Sequence, residues 1–230
     1  MAGMIVGPSA YWYLTRASGA VALLLLTASV VIGIAAIARL SSRAMPRFVV
    51  DGVHRTASLL AVVFLVVHII TAVLDSFAPI SLVNAVIPFT GAYRPLWLGL
   101  GAAAFDLLLA VTITSLVRRR IGLGIWRGVH WLAYLAWPVA VLHGFGTGSD
   151  VNKTWLLVVN AICIVAVLGA VVVRVMIGWP ENLRLRLGAL GLATVFALGL
   201  GVWLPGGPLG KGWARRSGTP ASLLSHGART

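Results

Sequence analysis

Charge is the scarcest feature of this chain. Of its 230 residues 10% are charged, against about a quarter in soluble domains. Acidic side chains are scarcer still, five Asp and Glu beside eighteen Lys and Arg. No hydrophilic stretch is long enough to form a soluble domain. Cysteine is limited to Cys163, which excludes an intrachain disulfide and carries no information on redox compartment. The first apolar run is too long for a cleaved signal, has no basic stretch before it and shows no clear small-residue cleavage site.

What is abundant is apolar: 60% hydrophobic residues and a mean hydropathy of +0.99. Six runs can cross about 30 Å of hydrocarbon as helices; we place them at 11–38, 53–75, 96–117, 127–145, 155–177 and 187–204. The expected fold is all-α, a polytopic six-transmembrane-helix bundle. It forms one domain over 1–204, followed by a polar tail over 205–230 whose Gly, Pro and Ser content predicts disorder. Between Ser76 and Pro95, apolar residues alternate with Pro79 and Pro88, which suits a short helix lying in the interface over one end of the bundle. Trp and Tyr (Tyr11, Trp12, Tyr13, Trp97, Trp126, Trp155, Trp179, Trp203) cluster at the expected interfaces, as an aromatic belt does.

The net charge of +13 does not form a nucleic-acid-binding face, because its residues sit in the connections between apolar runs. Arg39, Arg43, Arg47 and Arg55, then Arg118, Arg119, Arg120 and Arg127, then Arg174, Arg184 and Arg186 mark one side; Arg16, Arg94 and Lys153 mark the other. Eleven against three places the odd-numbered connections in the cytoplasm and both termini outside; the expected location is a bacterial plasma membrane. The tail dissents, since Lys211, Arg215, Arg216 and Arg229 would then be extracytoplasmic.

Four histidines carry the functional signal. His54 and His68 lie fourteen residues apart in the second span, His130 and His143 thirteen apart in the fourth. The two spans run in the same direction, so His54 and His130 share a level near the cytoplasmic face and His68 and His143 share one near the outer face. At about 1.5 Å rise per residue the levels are roughly 20 Å apart. Ionisable groups at membrane depth are costly and usually functional. Two opposed imidazoles at each level suit an iron already held in a porphyrin, whereas zinc wants three or four convergent ligands. Two haems between the second and fourth spans are therefore expected, with all four histidines as iron ligands. One geometric difficulty remains. At about 100° per residue His68 returns to within some 40° of the azimuth of His54, but His143 falls about 140° away from His130. A distortion at Pro138 is expected to restore a shared face.

Small residues near the sites (Gly52, Ala57, Ser58, Ala133, Ala136, Gly144, Gly146) suit a flat macrocycle or close helix packing. Arg16, Arg55 and Arg127 are candidates for haem propionates. For Arg55 and Arg127 the competing role is topology by charge. Asp106, in the third span, is a proton-relay candidate or a packed polar residue. Asp150 reads as part of a helix stop, and His226 in the tail as a bystander.

The stretch Arg120-Ile-Gly-Leu-Gly-Ile-Trp-Arg-Gly-Val-His130, with Trp131, Tyr134 and Leu142-His143-Gly144, resembles the ferric reductase-like transmembrane domain superfamily. So do Tyr13-Leu-Thr-Arg16 and Ile87-Pro-Phe-Thr-Gly-Ala-Tyr-Arg-Pro-Leu-Trp97. The likeness covers about residues 10–204. The superfamily includes ferric reductases, the membrane part of NADPH oxidases and the haem subunit of bacterial methionine sulfoxide reductase systems. The resemblance implies two b-type haems on the four histidines, with the Tyr-Arg-Pro-Leu-Trp segment over the outer one. No Gly-x-Gly-x-x-Gly follows a strand, so a separate flavoprotein or membrane quinol is the expected donor and an extracytoplasmic molecule the acceptor. The expected function is transmembrane electron transfer, or more narrowly the haem subunit of a periplasmic methionine sulfoxide reductase system. The rival from another class is a non-redox membrane protein, such as a small transporter; that would more naturally show broken helices and midplane polar groups.

Overall fold

The computed structural model describes residues 9–37, 46–177, 179 and 182–226. Arg39, Arg43 and Arg229 of the charge count, and the side chain of His226, lie outside the described residues. These comprise helices only: α1 (Ala10–Ile37), α2 (Arg47–Leu74), α3 (Leu82–Val86), α4 (Pro95–Leu116), α5 (Arg118–Ile121), α6 (Leu123–His130), α7 (Leu132–Thr147), α8 (Thr154–Met176), α9 (Leu183–Gly206), α10 (Trp213–Arg216) and α11 (Ala221–His226). Five of them, α1, α2, α4, α8 and α9, are long and apolar enough to cross a membrane.

The expected fourth span differs. It is divided at Trp131 into α6 and α7, and α7 has 16 residues. Pro138 lies inside α7, whose helical course continues through it. The irregularity is one turn earlier, where the Tyr134 amide bonds the Trp131 carbonyl at 3.1 Å, a tighter i→i+3 closure. Such a step rotates the chain by about 120° rather than about 100°. The distortion therefore advances the azimuth in the sense that brings His143 round toward the face of His130.

Four helices surround the histidines. α1 packs along α2, α7 and α8, and α4 packs along α7. The α1–α2 pair is antiparallel, since Thr15 of α1 meets His68 and Thr71 late in α2 while Ser29 meets His54 and Ser58 early in it. A core of Leu26, Val30, Ile34, Trp137, Val141, Phe145, Cys163, Val167 and Leu200 joins α1, α7, α8 and α9. Within it the Trp137 indole donates to Thr27 Oγ1 at 2.9 Å, which satisfies a buried N–H that lipid would leave unpaired. Large apolar side chains on the outside, such as Val202 and Leu192, face the region that hydrocarbon would fill.

The end of the bundle that carries His68 and His143, the outer one on the expected topology, is closed by two segments. The expected interfacial helix is present as α3, held by reciprocal capping of Ser81 and Asn84, with Leu82, Val83 and Val86 exposed. The second segment is the tail. The tail was expected to be disordered; of it, residues 205–226 are described, and those after α9 turn back over the bundle. The Trp213 indole donates to the Gly146 carbonyl, and the Gly218 carbonyl accepts from the Arg94 amide. Composition hides this because the tail is held through backbone carbonyls and one indole, not by an apolar face.

Arg94 ties both segments to α7. It is 3% exposed, adopts a left-handed conformation at φ 42°, and its Nη1 reaches the carbonyls of Gly146, Thr147 and Gly148, each at 3.0 Å. Its Nε donates to Thr219 Oγ1. A guanidinium at a helix C-terminus satisfies orphan carbonyls and meets the negative end of the helix dipole. Burial pulls Arg94 below its ordinary range and pushes the neighbouring Tyr93 phenol up. Trp97, Trp203 and Trp213 stack beside this knot, with ring centres 4.9 to 5.8 Å apart.

Candidate functional site

The structure brings the four histidines into two pairs. The ring centres of His54 and His130 are 6.2 Å apart, with planes at 69°. Those of His68 and His143 are 6.3 Å apart, at 87°. Two imidazoles on opposite sides of one metal would have centres roughly 6 Å apart, given metal–nitrogen bonds of about 2 Å and about 1 Å from each nitrogen to its ring centre. Both pairs meet that spacing.

Three of the four rings are anchored in the same way. His68 Nδ1 lies 2.8 Å from the Thr15 carbonyl, His54 Nδ1 3.0 Å from that of Ser29, and His143 Nδ1 2.8 Å from that of Trp97. A carbonyl only accepts, so Nδ1 carries the proton in each and Nε2 is left with its lone pair. Donation of the second nitrogen to a backbone carbonyl is the usual orienting contact of a metal-bound histidine.

Glycine makes this approach possible. Each anchoring carbonyl belongs to the residue four before a glycine, and the ring lies against that glycine. A Cβ on Gly19 would come 2.9 Å from His68, one on Gly33 3.3 Å from His54, and one on Gly101 2.4 Å from His143. The notches in α1, Thr15/Gly19 and Ser29/Gly33, are fourteen residues apart, the same spacing as the histidines they receive. Sequence reasoning missed these glycines. Their equal spacing was visible, but which helix would face α2 was not.

His130 is the exception: its Nδ1 is buried without a partner. Its ring leans on Trp126 at 5.0 Å, and Trp126 in turn donates to Ser115 Oγ.

Around the outer pair lies a cavity of about 290 Å³, bounded by α1, α2, α3, α4, α7 and α8 and lined by His68, His143, Gly19, Ala102 and Gly144 with Arg16 among its boundary residues. Of the small residues expected to make room, Gly144 borders the cavity with open space at its Cβ position. Ala57 and Ala136 are buried. Ser58 bonds Ser29 and the His54 carbonyl. Gly52 has open space beyond it, and Gly146 instead packs under the Trp97 ring. Asp106 does not border the cavity.

Arg16 does reach the outer level. Its guanidinium stacks over Trp12 at 3.4 Å, pairs with Asp150 at 2.8 Å and contacts Ser149 Oγ. Asp150 is thus the counter-charge of Arg16 as well as part of a helix stop. Arg55 and Arg127 are exposed next to the inner histidines, and among the described residues neither forms an ion pair.

Among the described residues no three His, Cys, Asp or Glu side chains converge. A metal held here needs its remaining ligands from a group it brings with it, as porphyrin does. At His68 and His143 the spacing of the paired imidazoles, the two anchored Nδ1 atoms and the apolar cavity fit such a group; at His54 and His130 the spacing and the one anchored Nδ1 do.

No curated protein and no solved structure matches the chain. A family model, ferric reductase like transmembrane component, matches residues 18–141, more than half of the sequence and a stretch that contains three of the four histidines. The chain therefore belongs to the ferric reductase-like transmembrane family, which makes it an integral membrane protein of a group with a role in membrane electron transfer.

Proposed function

We propose that the protein is a transmembrane electron-transfer subunit carrying two b-type haems, one on His54 and His130 and one on His68 and His143. The observation that carries the reading is the pair of ring-centre separations, 6.2 and 6.3 Å, at two depths of one bundle. The Nδ1 anchors on Thr15, Ser29 and Trp97 support it, because they leave Nε2 of three rings ready to ligate. Haem, when bound, supplies one-electron chemistry between its ferric and ferrous states. The chain supplies placement: it holds the imidazoles, excludes water with apolar side chains, and separates the two levels by roughly 20 Å along the helices.

On this reading α6 and α7 together make a sixth membrane crossing, and both termini face outward. Arg16 orients a propionate of the outer haem while paired with Asp150; Arg55 and Arg127 do so at the inner one. Electrons enter from a cytoplasmic flavoprotein or from quinol and leave to an extracytoplasmic acceptor. A periplasmic methionine sulfoxide reductase is the specific acceptor system kept in view.

The test is a reduced-minus-oxidised spectrum of the purified protein and of His68→Ala. The wild type is expected to show b-type bands, and the variant to lose the outer haem and keep the inner one. Full retention of haem by the variant would refute the ligand assignment.

A further inference from the structure

The two histidine pairs are not equivalent, and the difference lies at one ligand. His54, His68 and His143 each sit in a glycine notch with Nδ1 on a backbone carbonyl. His130 has neither.

The place where its notch would be is identifiable. α4 receives His143 at Trp97/Gly101. His130 lies thirteen residues before His143 on the neighbouring chain segment, so the matching notch on α4 is Ala110 with residue 114. Residue 114 is threonine, not glycine. A β-branched side chain thus stands where the other three notches have glycine, and its hydroxyl donates to the Ala110 carbonyl at 2.7 Å, the acceptor the imidazole would need. The next carbonyl, Val111, accepts from both Thr114 and Ser115 hydroxyls. Both carbonyls thus already accept a hydroxyl of their own helix, which by itself leaves a second lone pair, as at Thr15, whose carbonyl takes both Ser18 Oγ and His68 Nδ1; what the site lacks is the glycine.

Mechanical support is weaker there too. His130 is the last residue of the eight-residue α6, immediately before the break at Trp131. His143 is flanked instead by buried Val141 and Phe145 within α7. Bound through Nε2, His130 would keep an N–H buried without an acceptor. Released, the ring can turn with the hinge and find one.

We infer that His130 is a displaceable ligand, so that the inner haem, held by His54, takes small neutral π-acceptor ligands such as carbon monoxide while the outer haem does not. This rests on the proposed haem-carrying function. The exchange is a substitution at ferrous iron: the bond to His130 Nε2 breaks, the bond to the incoming carbon forms, and no electron is transferred. The same displacement would let a small oxidant or signalling gas reach the cytoplasmic level without touching the outer one.

The experiment is carbon monoxide titration of the dithionite-reduced, purified protein, read as a difference spectrum against total haem. Wild type is expected to bind carbon monoxide at one haem of two. In His130→Ala the reactive haem either remains the same one or is lost together with its signal; in both cases the remaining haem stays refractory. Thr114→Gly, which opens the notch and frees the Ala110 carbonyl, is expected to lower the carbon monoxide affinity at least tenfold. Should Thr114→Gly fail to fold, the wild type and His130→Ala decide alone. Refractory wild-type haem, reaction at both haems, or a second reactive haem appearing in His130→Ala would overturn the inference, as would an unchanged affinity in a folded Thr114→Gly. A protein with no haem at all would overturn the proposed function instead, a result recognisable before any gas is added.

Discussion

At the scale of single residues, the outer site depends on glycines as much as on histidines. The imidazole of His143 occupies the space where a side chain on Gly101 would be, 2.4 Å from an added Cβ. Gly101→Val is therefore expected to push the ring off the Trp97 carbonyl and release the outer haem, halving the haem content. Gly52→Ala, where nothing lies near, should leave it unchanged. Equal losses from the two substitutions would show that the notch has no part in ligation. The histidines were legible in the sequence because charge and polarity are so rare at membrane depth that a repeated spacing stands out. The glycines were not, because glycine is common in membrane helices for packing reasons alone. Their role appears only when the facing helix is known.

At the scale of elements, Arg94 joins three parts of the outer end: the loop before α4, the C-terminus of α7 and the tail. Arg94→Ala removes a buried cation from three carbonyls, and hydrogen bonds to charged groups contribute about 1.5–3 kcal/mol each in favourable settings. Because one Nη1 serves all three, a total loss of about 2–3 kcal/mol is expected, read as a lower melting temperature in detergent; no change would mean that the knot does not support the fold. The neighbouring Tyr93 adds a pH dependence. Burial raises its folded-state value above that of the unfolded phenol. Its contribution is intact below the ordinary phenol value of about 10 and is lost as pH rises through the folded-state value. Between about pH 9 and 11 wild type should lose melting temperature faster than Tyr93→Phe; parallel curves would contradict this.

The same elements show where sequence reading stopped. The apolar runs predicted five spans and the interfacial α3 directly, since each depends on composition over a long window. The fourth span was read as one helix with its distortion at Pro138, because proline is the only local signal of a break there. The interruption is at Trp131, where no proline marks it. The placement of residues 207–226 over the bundle was not legible, because their Gly-, Pro- and Ser-rich composition gives no sign of partners such as Arg94 and Gly146.

At the scale of the whole molecule, the parts form two stacked imidazole clamps inside one bundle, the outer one sealed by α3, the tail and the Arg94 knot, the inner one hinged at Trp131. The whole account depends on haem being present in both clamps. The most direct measurement is the haem-to-protein ratio of the purified chain from haem-replete cells, by pyridine haemochrome. The account predicts two b-type haems per chain. A colourless preparation without haem would contradict it.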